Sequence, residues 1–168
     1  MLSEERLHTP GRAIERVNAL NRETPCSEQP MHLFTVGYGG RNPQDFLALL
    51  QQHRIERIVD VRLRPDRASM GVYTKANSAT KGIQRLLAEH GIAYVSLPEL
   101  GNVFMGCEDW RPRYQRLLNA AGEVLTERLR ALPLPVCLLC AERQASACHR
   151  EVIATYLVQC GYHIDHLP

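Results

Sequence analysis

The chain has 168 residues, of which 45% are apolar and 23% are charged, and its formal net charge is +2. This length is enough for one domain with a full hydrophobic core, and the composition is that of an ordinary globular protein. A net charge this small does not by itself indicate nucleic-acid binding. Arginine dominates the basic residues, however, and its planar guanidinium binds carboxylates and phosphates through two parallel hydrogen bonds.

Composition also excludes several cellular settings. No apolar run is long enough to span a bilayer, so we expect no membrane partner. The charged start, residues 1–6, lacks the apolar core of a secretory signal. We therefore expect a cytoplasmic protein whose six cysteines are reduced thiols, not a disulfide framework.

The predicted elements begin after an N-terminal extension. We expect residues 1–30 to be helical or partly disordered and to precede a single α/β domain over residues 31–168. Asn42 is suited to cap a helix that has Pro43 in its first turn, and Gly91 and Gly161 are suited to follow helix ends. In chain order we predict a strand over 32–37, a helix from 43, a strand over 57–61, a helix over 83–90, a strand over 93–97, a helix over 110–132, a strand over 136–140, a helix over 149–159 and a strand over 162–167.

This alternation of strands and helices predicts a three-layer α/β sandwich. Its sheet is mostly parallel, has about five strands and carries helices on both faces. In such sheets ligands bind at the carboxyl ends of the strands. Four predicted strands end in polar or glycine-rich sequence, whereas the loops at the opposite edge are plainer. The sequence therefore predicts one functional edge.

The loop after the fourth strand carries the strongest chemical signal. Cys148 opens a helix, whose unpaired N–H groups lower the pKa of a thiol and favour a nucleophilic thiolate. Arg150, in the first helical turn, is suited to bind an anion held by the same N–H groups. Glu142 and His149 are suited to proton transfer. The alternative is structural: Cys148 caps the helix, Cys140 is a core thiol and Arg150 forms a surface ion pair.

A metal site is a second interpretation of the same segment. Cys140, Cys148 and His149 offer two sulfurs and one imidazole, which suit zinc. No fourth ligand stands at a recognisable spacing, although His163 and His166 on the last predicted strand are candidates.

Two other loops contribute candidates at the same edge. Asp60 and Arg62 lie two residues apart, so they share a face if the strand continues, and the aspartate is able to position Arg62 for an anion. Arg64 follows them as a further anion-binding candidate. Gly37 and Tyr38 open a glycine-rich turn whose backbone is able to approach a phosphate.

The long third loop, over residues 98–109, follows the third predicted strand at this edge. Phe104, Met105 and Trp110 make it either a lid or a stacking platform over a ligand. Alternatively, Phe104 and Trp110 anchor the loop to the core.

Four segments together resemble a known family. The chain is similar to the domain of unknown function 488 family, from about Phe34 to Leu167. The family implies an α/β fold with no settled activity, and it places six residues in one shared site. The segments that carry the resemblance are Thr35-Val-Gly-Tyr38, Asp60-Val-Arg62-x-x-Pro65, Leu97-Pro-Glu-Leu-Gly101 and Cys140-Ala-Glu142 with Cys148-His149-Arg150. The implied shared residues are Asp60, Arg62, Glu142, Cys148, His149 and Arg150.

Two positions depart from the family pattern. Gly39 stands where the family often has a serine, so a nucleophile at that position is absent here. Gln144-Ala145 stands where the family often has Asp-Pro, which removes one candidate carboxylate.

The leading hypothesis is a pocket for an anionic ligand of nucleotide or nucleic-acid type. Hydrolase or transferase chemistry would use Cys148, Glu142 and His149, and the anion would lie against Arg62, Arg64 and Arg150. One alternative is a non-catalytic nucleic-acid-binding module that uses Arg62, Arg64 and Arg113. The other is the Cys–His metal site. The sequence predicts no particular cofactor, substrate or oligomeric state.

Overall fold

The computed structural model describes residues 31–168, and the extension predicted over residues 1–30 lies outside them. Within the described part, strands and helices alternate. The strands are β1 Met31–Gly37, β2 Arg57–Asp60, β3 Ala93–Ser96, β4 Val136–Cys140 and β5 Tyr162–His166. The helices are α1 Pro43–Gln52, α2 Gly82–Ala88, α3 Trp110–Leu125, α4 Glu127–Arg130 and α5 His149–Gln159.

The five strands form one parallel sheet in the order β3-β2-β4-β1-β5. Strand β4 lies at the centre, and all five of its residues, Val-Cys-Leu-Leu-Cys, are buried. A parallel strand covered on both faces is apolar throughout, and this pattern made β4 recognisable in the sequence.

Helices cover both faces of the sheet, which confirms the predicted α/β sandwich. On one face, α1 and α2 pack on a core that includes Phe46, Ile58 and Leu139. On the other face, α3, α4 and α5 pack on a core that includes Tyr114 and Leu138. No helix in residues 31–168 is both long enough and apolar enough to cross a membrane.

The predicted elements agree with the structure except at their ends. Asn42 caps α1, because its side chain accepts a 2.8 Å hydrogen bond from the Asp45 N–H. Gly91 and Gly161 have the positive φ angles, 70° and 90°, expected after a helix. Three strands are one residue shorter at their carboxyl ends than predicted, and α2 ends two residues earlier.

One of the predicted helices is divided into two helices in the structure. The sequence predicts continuous helix over 110–132, but α3 ends at Leu125 and α4 follows after Thr126. Thr126 is buried, and its hydroxyl donates a 2.7 Å hydrogen bond to the Gly122 carbonyl. A threonine that bonds back to the preceding turn bends or interrupts a helix, and the apolar spacing does not reveal this bond.

The central strands direct their loops to opposite faces. Strands β1 and β4 are neighbours, yet α1 follows β1 on one face and α5 follows β4 on the other. A ligand crevice forms in open α/β sheets where neighbouring connections diverge in this way.

Candidate functional site

Two loops meet at the carboxyl ends of β1 and β4, and we call their contact the loop seam (residues 37–41 against 140–143). The Tyr38 N–H donates to the Cys140 carbonyl at 3.3 Å, and the Gly39 N–H donates to the Ala141 carbonyl at 2.8 Å. A Cβ at Gly37 would lie 1.8 Å from the Glu142 carbonyl oxygen, so only glycine fits there. The predicted glycine-rich turn therefore contacts the protein's own fourth loop.

Arg150 binds the backbone of the loop over residues 140–143. Its side chain is fully buried, and its two terminal nitrogens donate to the backbone carbonyls of Glu142 and Arg143. Its Nε, also buried, has no hydrogen-bond acceptor among the described residues. No carboxylate in residues 31–168 pairs with this guanidinium.

Arg41 is a buried arginine of the same kind, and sequence reasoning missed it. It is 8% exposed, its Nε donates to the Gly37 carbonyl at 2.9 Å, and its Nη2 has no acceptor in the described part of the chain. Burial and the nearby charges of Arg143 and Arg150 lower the pKa of Arg41. The sequence feature that could have indicated a role for Arg41 is its position directly after the glycine-rich turn.

A cluster of two thiols and one imidazole lies beside the loop seam. Nδ1 of His149 is 3.7 Å from the Cys140 sulfur and 3.8 Å from the Cys148 sulfur. All three ligand atoms lie within 4.8 Å of one another. The Cys140 thiol donates to a Glu142 carboxylate oxygen at 3.0 Å. Residues Cys140, Cys148 and His149, which we call the Cys–His cluster, are all at least 95% buried.

The two thiols of the cluster differ in acidity. A hydrogen bond from Cys140 lowers the pKa of Cys148, and His149 and the Arg150 N–H at the start of α5 act in the same direction. The hydrogen bond to Cys148, burial and the Glu142 carboxylate raise the pKa of Cys140. Cys148, which also caps α5, is therefore the more acidic of the two thiols.

The other two titratable groups of this site are tuned by the thiols. Burial opposes ionisation of Glu142, but the hydrogen bond from the Cys140 thiol lowers the pKa of Glu142 below the ordinary value. Burial also opposes the charged form of His149, yet the hydrogen bond to Cys148 raises the pKa of His149.

The Asp60–Arg62 pair is a buried ion pair next to the seam. Asp60 accepts from Arg62 at 2.8 and 2.5 Å and from the Tyr94 hydroxyl at 2.6 Å. Arg62 also donates to the Tyr38 hydroxyl at 3.2 Å and to the Tyr73 carbonyl at 2.9 Å. Burial lowers the pKa of Arg62, but the Asp60 carboxylate outweighs it and raises that pKa. This pair joins the second loop to the first.

The structure therefore brings most of the predicted site residues together, but it separates Arg64 from them. Arg64 is exposed and pairs with Asp66 at 3.1 Å. Arg113 is likewise exposed and pairs with Asp109 at 2.7 Å. The residues gathered at the carboxyl edge are Gly37, Tyr38, Asp60, Arg62, Glu142, Cys148, His149 and Arg150.

Two histidines proposed as extra metal ligands lie elsewhere. His163 pairs in register with His32 near the start of β1, at the opposite end of the sheet. His166 forms a 2.7 Å hydrogen bond with the Thr35 hydroxyl. Neither histidine belongs to the Cys–His cluster.

The long third loop is anchored at two points. Phe104 and Trp110 are partly buried and pack against the core beneath α3 and α5. Val103 and Met105 are exposed beside them. A shallow groove between α3 and α5, lined by residues that include Arg111, Asn119 and Gln159, contains none of the Cys–His cluster.

Comparison with known protein families identifies a match. A family model described as Domain of unknown function DUF488 matches residues 42–157. The matched residues run from the cap of α1 into α5 and include the whole Cys140–Arg150 segment, whereas Arg41 lies just outside them. No curated protein and no solved structure matches the chain.

Proposed function

The chain belongs to the DUF488 family, whose description names no reaction, and we propose a function from the site itself. We propose that the edge above β1 and β4 binds an anionic ligand of nucleotide or nucleic-acid type. Arg41 and Arg150 would hold the anion, and Cys148, Glu142 and His149 would perform hydrolase or transferase chemistry on it. The observation that carries the proposal is the pair of buried arginines without carboxylate partners.

A buried guanidinium is costly unless its charge and its N–H groups are satisfied. An unsatisfied buried donor costs about 1–3 kcal/mol, and an uncompensated buried charge costs more. Arg41 and Arg150 each bond only backbone carbonyls, and each keeps one buried N–H without an acceptor among the described residues. An anion that accepts from both would supply the missing acceptors and the opposite charge, as phosphate oxygens do for arginine.

The reactive groups lie next to Arg150 in the chain and at the same loop seam as Arg41. Glu142 is exposed, and its backbone carbonyl is one of the two that Arg150 holds. Cys148 and His149 precede Arg150 at the start of α5. A ligand held by the two arginines would therefore lie beside a carboxylate, an imidazole and a thiol, the group types that acid–base and nucleophilic catalysis use.

The alternative nucleic-acid-binding module has less support from the geometry. Arg62, Arg64 and Arg113, on which that hypothesis depends, each pair with an aspartate. An arginine that is already paired must exchange its carboxylate for a phosphate, which weakens the electrostatic gain from counterion release.

We place this function in the cytoplasm. The five cysteines in residues 31–168 are free thiols, and free thiols persist in a reducing compartment.

Binding of anions by calorimetry tests the proposal. Inorganic phosphate, AMP and a short single-stranded oligonucleotide would be titrated into the wild-type protein and into the variants Arg41→Gln and Arg64→Gln. We expect Arg41→Gln to weaken binding of the best probe by tenfold or more, about 1.4 kcal/mol, and Arg64→Gln to leave it within twofold. Equal affinities for the wild type and Arg41→Gln would overturn the proposal.

A stability measurement separates binding from folding. Without ligand, Arg41→Gln removes an unpaired buried charge, so we expect its free energy of unfolding to equal or exceed that of the wild type. A variant that lost both stability and binding would show Arg41 to be structural.

A further inference from the structure

The Cys–His cluster carries a second inference, which does not depend on the anion site. Three side chains with soft or nitrogen ligand atoms come from two elements, the end of β4 and the start of α5. Their residues are only 4% exposed for Cys140, 2% for Cys148 and 5% for His149. Each of the three is also held by a hydrogen bond outside the cluster: Cys140 to Glu142, Cys148 to the Arg150 N–H and His149 to the Val61 carbonyl. The three ligand atoms are therefore fixed in position close to one another.

The distances fit a tetrahedral metal centre. Zinc binds sulfur at roughly 2.3 Å and nitrogen at roughly 2.0–2.1 Å, and a tetrahedron with these bonds has sulfur–nitrogen edges of about 3.6 Å. The observed sulfur–nitrogen distances are 3.7 Å to Cys140 and 3.8 Å to Cys148. These two distances match two edges of the tetrahedron. The two sulfurs lie within 4.8 Å of each other, so they would need to approach by no more than about 1 Å to reach the roughly 3.8 Å sulfur–sulfur edge of a zinc site.

The orientation of His149 supports ligation through Nδ1. Its Nε2 lies 2.9 Å from the Val61 carbonyl oxygen, which can only accept, so the proton is on Nε2. In the neutral ring the Nδ1 lone pair then faces the two sulfurs. The ring of Tyr114 packs edge to face on His149, with ring centroids 5.6 Å apart, and limits its rotation. A histidine held by a backbone carbonyl on its far nitrogen is the usual outer-shell arrangement of a metal ligand.

We propose that Cys140, Cys148 and His149 bind one zinc ion, with the fourth position next to Glu142. Two thiolates and one imidazole in tetrahedral geometry select zinc over magnesium or calcium, which require oxygen ligands. Three protein ligands with an open fourth position are typical of catalytic zinc sites. Cys148 and His149 then contribute to the chemistry of this edge as metal ligands, in place of nucleophilic or acid–base roles.

Glu142 gives the fourth position a chemical role. Its carboxylate is 3.0 Å from the Cys140 sulfur, and the residue is exposed. Zinc held by the cluster would lower the pKa of a bound water molecule, and the Glu142 carboxylate would be a nearby group able to accept a proton. Glu142 is thus a general base beside the metal in this arrangement.

Metal analysis of the purified protein tests the site. Untagged full-length chain would be purified without chelators from cells supplied with zinc, and its metal content would be measured by mass spectrometry. We expect close to one zinc per chain in the wild type. We expect loss of most of it in Cys148→Ser and retention in Cys160→Ser, whose cysteine is exposed and outside the cluster.

Cobalt substitution of the wild-type protein provides a readout that needs no variant. Tetrahedral cobalt with thiolate ligands gives strong visible bands and a sulfur-to-cobalt charge-transfer band. We expect both when the metal-free chain is titrated with cobalt, and we expect zinc to displace the cobalt. Octahedral spectra, or a reduced chain that takes up neither ion, would overturn the proposal.

Thiol counting distinguishes the competing outcome. If Cys140 and Cys148 form a disulfide in place of a metal site, the metal-free chain has two fewer titratable thiols than its six cysteines. That result would overturn the metal site. It would leave the phosphate titration of Arg41→Gln unaffected, so the two proposals can fail separately.

Discussion

Arg62 and Arg64 lie two residues apart, yet their charges have opposite surroundings. Arg62 is 5% exposed and lies against Asp60, whereas Arg64 is exposed and pairs with Asp66 at the surface. The Asp60 carboxylate accepts four hydrogen bonds, from the backbone and side chain of Arg62 and from Tyr94. The ion pairs of these two neighbouring arginines are therefore expected to contribute differently to the free energy of unfolding.

The buried pair gives a prediction about stability. Asp60→Asn would leave Arg62 buried without its counter-charge, so we expect the free energy of unfolding to fall by about 3–5 kcal/mol. Urea denaturation measures this change. Asp66→Asn is the matched control, since it removes the same charge from an exposed pair and should cost less than about 1 kcal/mol. Similar losses in both variants would contradict a structural role for the buried pair.

Sequence reasoning reached some site residues and not others. Cys148 and Arg150 were found because a helix start supplies a physical reason for a thiol and an arginine to lie there. Arg41 was missed because the charges that surround it include Arg143 and Arg150, which are about a hundred residues away in the chain. The role of the Val61 carbonyl in orienting His149 was also hidden, since no side chain signals it.

The elements themselves were mostly readable from local signals. Asn42 with Pro43, and the glycines after α2 and α5, marked helix ends because each depends only on its own turn. The interruption at Thr126 was not readable, because it depends on a side-chain bond to Gly122, a residue that packs against α5 through Tyr156. Local patterns therefore predicted where elements are, and tertiary contacts decided where one of them is interrupted.

The loop seam gives a prediction at the scale of elements. Gly37→Ala would place a Cβ 1.8 Å from the Glu142 carbonyl oxygen, so β1 and the fourth loop would have to separate. We expect a loss of more than about 2 kcal/mol in the free energy of unfolding, because backbone on both sides resists the shift. Differential scanning calorimetry checks the result.

Gly71→Ala is the matched control for this substitution. A Cβ at Gly71 meets nothing within 4 Å, and the residue does not have a positive φ angle. We expect this variant to change the free energy of unfolding by less than about 1 kcal/mol in either direction. Alanine here would act mainly by reducing the conformational entropy of the unfolded chain. Equal stability of Gly37→Ala and Gly71→Ala would show that the backbone of the loop seam shifts at little cost in free energy. The seam would then not position the Cys–His cluster.

At the scale of the whole molecule, the strand order creates the site. Strand β4 pairs between β1 and β2, although one strand and three helices separate it from β2 in the chain, and two strands and four helices separate it from β1. Such non-local pairing has no local sequence signal, so the sequence predicted one functional edge without predicting which loops meet there. The order places the glycine-rich first loop directly against the Cys140–Arg143 turn. Arg41 and Arg150 face the same seam for that reason.

The whole fold also buries several phenol groups, which makes its stability sensitive to base. Burial raises the pKa of Tyr73 to about 12 from 10.0, and burial also raises the pKa values of Tyr94 and Tyr114. A raised pKa means that the folded state holds the proton more tightly than the unfolded chain. The contribution to stability is therefore fully present below pH 10 and is lost as pH rises toward 12.

Urea denaturation across a pH series measures this effect. For Tyr73 alone we expect a loss of roughly 2 kcal/mol between pH 10 and 12, because one pKa unit corresponds to about 1.4 kcal/mol. Tyr73→Phe removes the 3.2 Å hydrogen bond to the Arg41 carbonyl, so it should be about 1 kcal/mol less stable at pH 8. Its stability should then fall less steeply above pH 10 than that of the wild type. Parallel curves for the two proteins would mean that the Tyr73 hydroxyl ionises in the folded state as readily as in water, and that the core around Arg41 is open to solvent.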